Sequence, residues 1–369
     1  MHLTSTTRIS AALAAVSFAF AGTAVTVPVL ADTDTGPREM SASIATTAVP
    51  APTSLDGGGN IETARGESDE VHGDPRVMAY WTPERLTSAV PVPMPPSDAP
   101  EAEHRSAQPG SPAVSEPATI VSEPVSVAGE STTPVIGEPG TNQSSTNGKI
   151  FFRNQSDGRD YVCSGSALSS GSKRLVVTAG HCVHGGPGRT WHANWVFIPG
   201  YSRGDAPHGT FQAAAFRVFD DWMSYGTSNL GFNSDVAFVT TYDNASNQTV
   251  VDAVGGYGLQ TGGGLVFDVT VLGYPGNLEG GQRVVACSGT TEILTVDAYL
   301  FSSIRSCDFG GGSSGGPWLY QYNQSSDRGY VRSVTSFGPS DSNEFISGPY
   351  FSDRVQSLYH AANGDGTSL

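Results

Sequence analysis

No lysine precedes Lys149 in this 369-residue sequence, and charged residues of either sign make up only 15% of it. Neither half carries a cluster of basic residues, which excludes nucleic acid as the main partner. The formal net charge of -16 is unevenly spread: residues 1–148 hold 6 Arg against 17 Asp and Glu, a net of -11, and residues 149–369 carry the remaining -5. No Cys-x-x-Cys pair occurs, and His181-Cys182-Val183-His184 offers too few neighbouring ligands for zinc, so no metal is expected. No clear calcium-loop motif is found, and no cofactor is called for. Beyond the first 31 residues no stretch is long and apolar enough to span a bilayer, so no membrane association is expected of the mature chain. No βαβ spacing appears either. With Gly 45 and Pro 24, the composition excludes a helical bundle and suits an all-β domain joined to a low-complexity segment.

What is present divides the chain in three. Residues 1–31 combine Arg8, an apolar run from Ala11 to Leu30 and small residues at Ala21-Gly22-Thr23-Ala24 and Ala31, the pattern of a secretory signal. Residues 32–148 are rich in Ser, Thr, Pro, Ala and Glu and poor in large apolar side chains, too poor to offset chain entropy, so most of this segment is expected to be disordered. Pro91-Val-Pro-Met-Pro-Pro96 and the Glu-Pro pairs at Glu116, Glu123 and Glu138 describe an extended spacer, either propeptide or linker. One island, Met78 to Leu86, carries Tyr80 and Trp81, which could dock on a partner surface, with a propeptide contact and a wall-binding or linker contact both open, and Thr82-Pro83-Glu84 suits a helix start.

From Gly148 the texture changes to short, β-branched runs bounded mostly by Gly, Asn, Asp or Pro: 174–179, 194–198, 235–240, 265–272 and 331–336. Many short strands in about 220 residues predict an antiparallel barrel or sandwich over residues 149–369. Only the tail reads as helix, with Ser352-Asp353 as cap and Val355, Leu358, Tyr359 and Ala362 on one face. Four cysteines, all in this half, imply two disulfides in an exported chain. Of the three possible connectivities, pairing sequence neighbours, Cys163 with Cys182 and Cys287 with Cys307, closes two short loops and is the one expected.

Candidate chemistry centres on Gly310-Gly-Gly-Ser-Ser-Gly-Gly-Pro-Trp318. A serine hydroxyl is a weak nucleophile that needs a base within hydrogen-bond reach and N–H donors for the oxyanion it creates. Glycines let the backbone turn inward, so the N–H groups of Gly312 and Ser314 can converge on one point. Taken alone, the run also reads as a flexible Gly/Ser linker. The base best placed by sequence is His181, which follows the strand-like Val176-Val177-Thr178 and precedes Cys182. His184 and His192 lie in a Gly/Pro-containing loop and are expected to be solvated. Asp235, opening the apolar run 236–239, is the candidate buried carboxylate, whereas Asp220-Asp221 and Asp243 read as loop or turn acids.

The order His181, Asp235, Ser314, with Thr178-Ala-Gly-His-Cys182 and Gly312-Ser-Ser-Gly-Gly-Pro317, resembles the chymotrypsin-like serine peptidases, and more closely their secreted bacterial-type branch that includes glutamyl endopeptidases. Tyr161-Val-Cys-Ser-Gly-Ser166, Trp195-Val-Phe-Ile-Pro-Gly-Tyr201, Ala206-Pro-His-Gly-Thr210 and Leu272-Gly-Tyr-Pro275 are similar to that branch too, as Trp81-Thr-Pro-Glu-Arg85 is to a propeptide element of it. The resemblance implies two antiparallel β-barrels with a cleft between them. It implies further that Ser314 is the nucleophile, His181 the base and Asp235 its orienter, that Gly312 and Ser314 form the oxyanion hole, and that Ser336-Phe337-Gly338 pairs with the substrate backbone. A secreted endopeptidase made as a precursor, monomeric and acting on protein or peptide substrates, is the expected function.

Two departures from the family stand out. Ser313 occupies the position where the animal digestive enzymes carry an Asp that pairs with a freed N-terminal amine, so activation is expected to proceed by uncovering the cleft or by another N-terminal contact. Asp308 lies six residues before Ser314, the spacing of the basic-specific acid, but Cys307 falls off the family's register, and Thr335 stands where glutamate-specific relatives often carry histidine. Neither preference follows. A catalytically inactive secreted binding or wall-associated protein on the same fold is the competing reading, motivated by the acidic Pro-rich segment and Tyr80-Trp81; an esterase with the same triad is a lesser one.

Overall fold

The computed structural model describes residues 46–53, 72–97, 103–105, 118–125, 140–296, 299–339 and 342–366; the expected signal segment lies outside them. Strands Asn147–Asn154, Arg159–Leu168, Leu175–Thr178, Ala237–Thr241, Phe211–Phe219 and Ala193–Pro199 pair in that order, and the last pairs again with the first. The result is a closed six-stranded antiparallel barrel. Closure leaves no free sheet edge between these strands. Leu175–Thr178, Ala193–Pro199 and Ala237–Thr241 are buried at every position, which explains why they read as continuous apolar runs rather than alternating ones.

The second half is built from two sheets. One runs Thr119–Ser122, Gly258–Thr261, Arg328–Val334, Pro317–Asn323, Asp268–Gly273, Val285–Thr290 and Gly140–Thr141; the other runs Phe345–Gly348, Tyr299–Arg305, Glu292–Val296 and Glu103–Arg105. A bridge between Phe337 and Ser347 ties them together. Among the described residues this half pairs as two sheets rather than as one closed antiparallel barrel, and Gly258–Thr261 runs parallel to Arg328–Val334. A parallel pair requires a long crossover, and the strands between 268 and 323 supply it.

The tail forms the helix Asp353–Gly366, which packs Val355, Leu358, Tyr359 and Ala362 into the core against the first barrel, the face the sequence predicts. Both disulfides follow the expected pairing, Cys163–Cys182 and Cys287–Cys307.

Several described pieces of the front segment are ordered against the barrels. Thr46–Pro50 pairs with Phe211–Phe219, and Thr119–Ser122 with Gly258–Thr261. Helix Pro83–Ser88 is capped by Thr82, as expected. Trp81 is 8% exposed, its indole N–H donating to the Asn194 carbonyl at 2.6 Å and its ring lying 5.6 Å from that of Phe151. Tyr80 donates to Asp160 at 2.6 Å, which also takes Arg85 at 2.9 Å. The aromatic pair is therefore engaged within the chain, in line with a propeptide contact rather than with an exposed wall-binding one.

The compositional break at 148/149 falls inside the barrel strand Asn147–Asn154, where Asn147, Gly148 and Lys149 are buried. The residues just before it are pinned by Asp327, whose carboxylate accepts from Ser144 Oγ and the N–H groups of Ser145 and Thr146, and from the hydroxyls of Tyr257 and Tyr322, all at 2.8–3.1 Å. Lys149 reaches the Gly281 carbonyl at 2.8 Å, and burial brings its pKa down to about 8.

Candidate active site

Strand Leu175–Thr178 and strand Ala237–Thr241 are antiparallel neighbours with Ala237 opposite Thr178. The residues just after the first and just before the second therefore meet at one barrel end. His181 sits there on the 3-10 turn Gly180–Cys182, and Asp235 two residues before its strand. His181 donates its backbone N–H to Asp235 Oδ1 at 2.8 Å, and its Nδ1 lies 2.8 Å from Oδ2. Ser336 Oγ donates to the same Oδ2 at 2.5 Å. Asp235 is fully buried and receives three hydrogen bonds, so its desolvation is compensated.

Ser314 comes from the other half, in the loop before strand Pro317–Asn323. Its carbonyl accepts from the Ser164 N–H at 2.8 Å and lies 3.6 Å from Cys182 Sγ, beside His181. Gly312 has φ +89°, a conformation that favours glycine, and its carbonyl accepts from Ser164 Oγ at 2.9 Å. Ser164 also accepts the Tyr274 N–H at 2.8 Å, so one side chain couples the serine loop to both neighbouring segments. In the sequence it is marked by its place in Tyr161-Val-Cys-Ser-Gly-Ser166. Ser313 is buried with its hydroxyl donating to the Gly310 carbonyl at 2.7 Å, a local closure in place of an ion pair. His181 Nε2 and Ser314 Oγ are both buried and neither makes a hydrogen bond to the described residues.

Ser336, Phe337 and Gly338 follow strand Arg328–Val334. Ser347 accepts the N–H groups of Ser336 and Phe337 at 2.9 and 3.2 Å, and Phe337 stacks on Phe232 at 4.4 Å. Thr335 is buried and accepts the Trp318 indole N–H at 3.1 Å. Asp308 is not brought into this cluster: its side chain is exposed, while Asn277 Nδ2 donates to its carbonyl at 2.7 Å and Asn277 Oδ1 accepts the Gly310 N–H at 2.8 Å, bracing the loop from outside.

Two histidines expected in solvent are buried instead. His184 accepts the Gly186 N–H at 3.1 Å and meets Trp191 edge-on at 4.9 Å. His192 stacks on Phe152 at 4.2 Å, and its Nε2 lies 3.1 Å from the His181 carbonyl. Burial lowers the pKa of both, that of His192 to about 3, so His192 is neutral and donates to His181. The Gly/Pro loop hid this because His192 is covered by Phe152, from a strand distant in sequence, while His184 packs on Trp191 of the loop itself. Among the described residues, Cys163, Cys182 and His181 bring possible ligand atoms within 4.8 Å, but the two sulfurs are joined in a disulfide and offer no thiolate.

A closed six-stranded barrel carrying the His181–Asp235 pair at one end, joined to a second β half that carries a glycine-framed serine loop, has the architecture of a chymotrypsin-like fold. No family model matches the sequence, and no curated protein matches it. Among solved structures, the protease Anisep from Arthrobacter nicotinovorans is 33% identical, with 61% of this chain and 99% of that one covered and a TM-score of 0.54. The thermostable serine protease AL20 from an extremophilic microorganism is 30% identical over 61% of this chain and 99% of its own, with a TM-score of 0.53. A Glu endopeptidase matches at 20% identity over 63% of this chain and 100% of that one, with a TM-score of 0.48. The chain belongs to the chymotrypsin-like serine protease family. Among the described residues no helix is long and apolar enough to cross a membrane.

Proposed function

We propose that the protein is a secreted serine endopeptidase, made as a precursor, that cuts protein or peptide substrates through an acyl-enzyme. The observation that carries this reading is the pairing of Asp235 with His181 Nδ1 at 2.8 Å while His181 Nε2 and Ser314 Oγ, both buried, keep their hydrogen-bonding capacity. With Nδ1–H held by the carboxylate, the neutral ring presents Nε2 as an acceptor. Ser314 Oγ attacks the scissile carbonyl carbon as Nε2 takes its proton. The N–H groups of Gly312 and Ser314 stabilise the oxyanion, and the imidazolium returns the proton to the leaving amine. Water then repeats the sequence on the ester. Asp235 holds Nδ1–H and stabilises the imidazolium. Ser336, Phe337 and Gly338 hold the substrate backbone by strand addition.

The test is fluorophosphonate labelling and casein cleavage by the secreted, processed protein beside Ser314→Ala. The wild type is expected to label and cut, and Ser314→Ala to do neither, with turnover down by about four to six orders of magnitude. A folded, processed wild type that neither labels nor cuts overturns the catalytic reading. Turnover of small esters without casein cleavage would make it an esterase.

A further inference from the structure

The cleft of this chain is not empty: residues Val90–Ser97 lie along it. Val90 and Pro91 pair in parallel with Tyr161 and Val162, and the Val92 N–H continues the pairing to the Val162 carbonyl at 3.0 Å. The Val92 carbonyl then accepts the N–H of Gly312 at 3.0 Å. Further on, the Ser97 N–H donates to the Gly338 carbonyl at 3.0 Å and the Gly338 N–H to the Pro95 carbonyl at 3.3 Å, again a parallel bridge. The segment thus spans from one rim to the other. It occupies a donor assigned above to the oxyanion and both backbone groups of Gly338 assigned to substrate. Met94 lies against Gly338, where a Cβ would come within 2.7 Å of its sulfur, and packs on the cluster that holds Phe309 and Ile346. Val92, Pro93 and Pro95 border a cavity together with His181, His192 and Trp222.

We propose that the groove between Val162 and Gly338 is a binding surface for an extended proline-rich peptide whose resident ligand is Val90–Ser97 of this chain, and that this segment blocks the active site until it is released. The proposal rests on the protease reading for its consequence, though not for the binding itself. Four prolines between Pro91 and Pro96 hold the segment extended before it binds, so little chain entropy is lost on docking. Proline also supplies carbonyl acceptors without competing N–H donors. Of the five peptide bonds from Pro91 to Pro96, three carry a proline nitrogen on the leaving side, and the Val92–Pro93 bond at Gly312 is one of them. The buried Trp81 and the Tyr80–Asp160–Arg85 contacts tether the segment at a site outside the cleft, which raises its effective concentration there.

The test uses the full chain as uncut precursor and a variant in which Pro91–Pro96 is replaced by glycine and serine at equal length. The variant is expected to label with fluorophosphonate at least about tenfold faster than wild type, and a dye-labelled Val90–Ser97 peptide to bind the variant while wild type excludes it. Added in excess, the unlabelled peptide should slow labelling of the variant and remain uncut. Val92→Pro, which removes the N–H to Val162 together with the valine side chain packed on the core, should give a smaller acceleration and covers the case in which the replacement fails to fold. Equal labelling of wild type and both variants, with no peptide binding, overturns the proposal. Peptide binding to a folded variant that never labels would leave the groove ligand standing and remove the protease reading instead.

Discussion

Ser336 Oγ and His181 Nδ1 meet on a single oxygen of Asp235, at 2.5 and 2.8 Å. The carboxylate is therefore fixed from the second half of the molecule while it orients a histidine of the first. Asp235→Asn keeps the shape but presents an amide to Nδ1 and favours the wrong tautomer; kcat should fall by about 10³ to 10⁴ with Tm little changed. Ser336→Ala leaves the pair intact and removes one donor, so a loss of about tenfold or less is expected. Steady-state kinetics with a common substrate separate the two.

His192 makes the fold acid-sensitive. Its folded pKa, lowered by burial from 6.5 to about 3, lies below the unfolded value, so between these limits the unfolded chain binds the extra proton. The stabilisation is fully present above about pH 6.5 and is lost as pH falls toward about 3, by roughly 1.4 kcal/mol for each pH unit in that window. His192→Gln retains a donor for the His181 carbonyl but does not titrate. Its Tm should decline less than that of wild type between pH 6.5 and about 4 in a calorimetric series.

Asp327→Ala removes five hydrogen bonds that hold Ser144–Thr146, Tyr257 and Tyr322. Destabilisation of about 2–4 kcal/mol is expected, read as a lower midpoint in urea. The same contacts, with the pairing of Gly140–Thr141 to Val285–Ala286, belong to the folded unit, so N-terminal sequencing of the processed protein should find a start before Gly140 rather than at 149.

The two disulfides should differ in effect. Removing Cys163–Cys182 by a double alanine substitution takes away about 3 kcal/mol and also loosens the segment that carries His181 and touches Ser314. Removing Cys287–Cys307 costs a similar stability from a loop of similar length, with a smaller loss of kcat. Urea titrations beside turnover at a temperature where both variants stay folded make the comparison.

Asp308→Ala should leave cut-site preference unchanged, because the side chain is exposed and the loop is held through its backbone by Asn277. Asn277→Ala should lower turnover instead, by freeing the Asp308 carbonyl and the Gly310 N–H that brace the serine loop. Mass-spectrometric mapping of cut sites decides the first, kinetics the second.

Residues with local signatures were legible in advance. The β-branched runs, the helical face of the tail, the strand-then-histidine at His181 and the glycine frame of Ser314 all follow from rules that act within a few residues of sequence. The expected cysteine pairing also closes short loops, so chain proximity favours it. His192 and Asn277 carry no such mark, because each acts through partners contributed by segments far away along the chain: the His181 carbonyl beneath Phe152, and the Asp308–Gly310 backbone. Composition could not single out the described front pieces for a related reason. It measures whether a segment can bury its own surface, whereas Trp81 and Val90–Ser97 dock on surface that the barrels provide. Sequence alone determined the kinds of chemistry this chain contains, since glycine, serine, histidine and aspartate act by their local geometry and ionisation. The tertiary structure decided which of them meet, and what lies across the cleft where they do, because only folding brings Val162, Gly312 and Gly338 to the two sides of one groove.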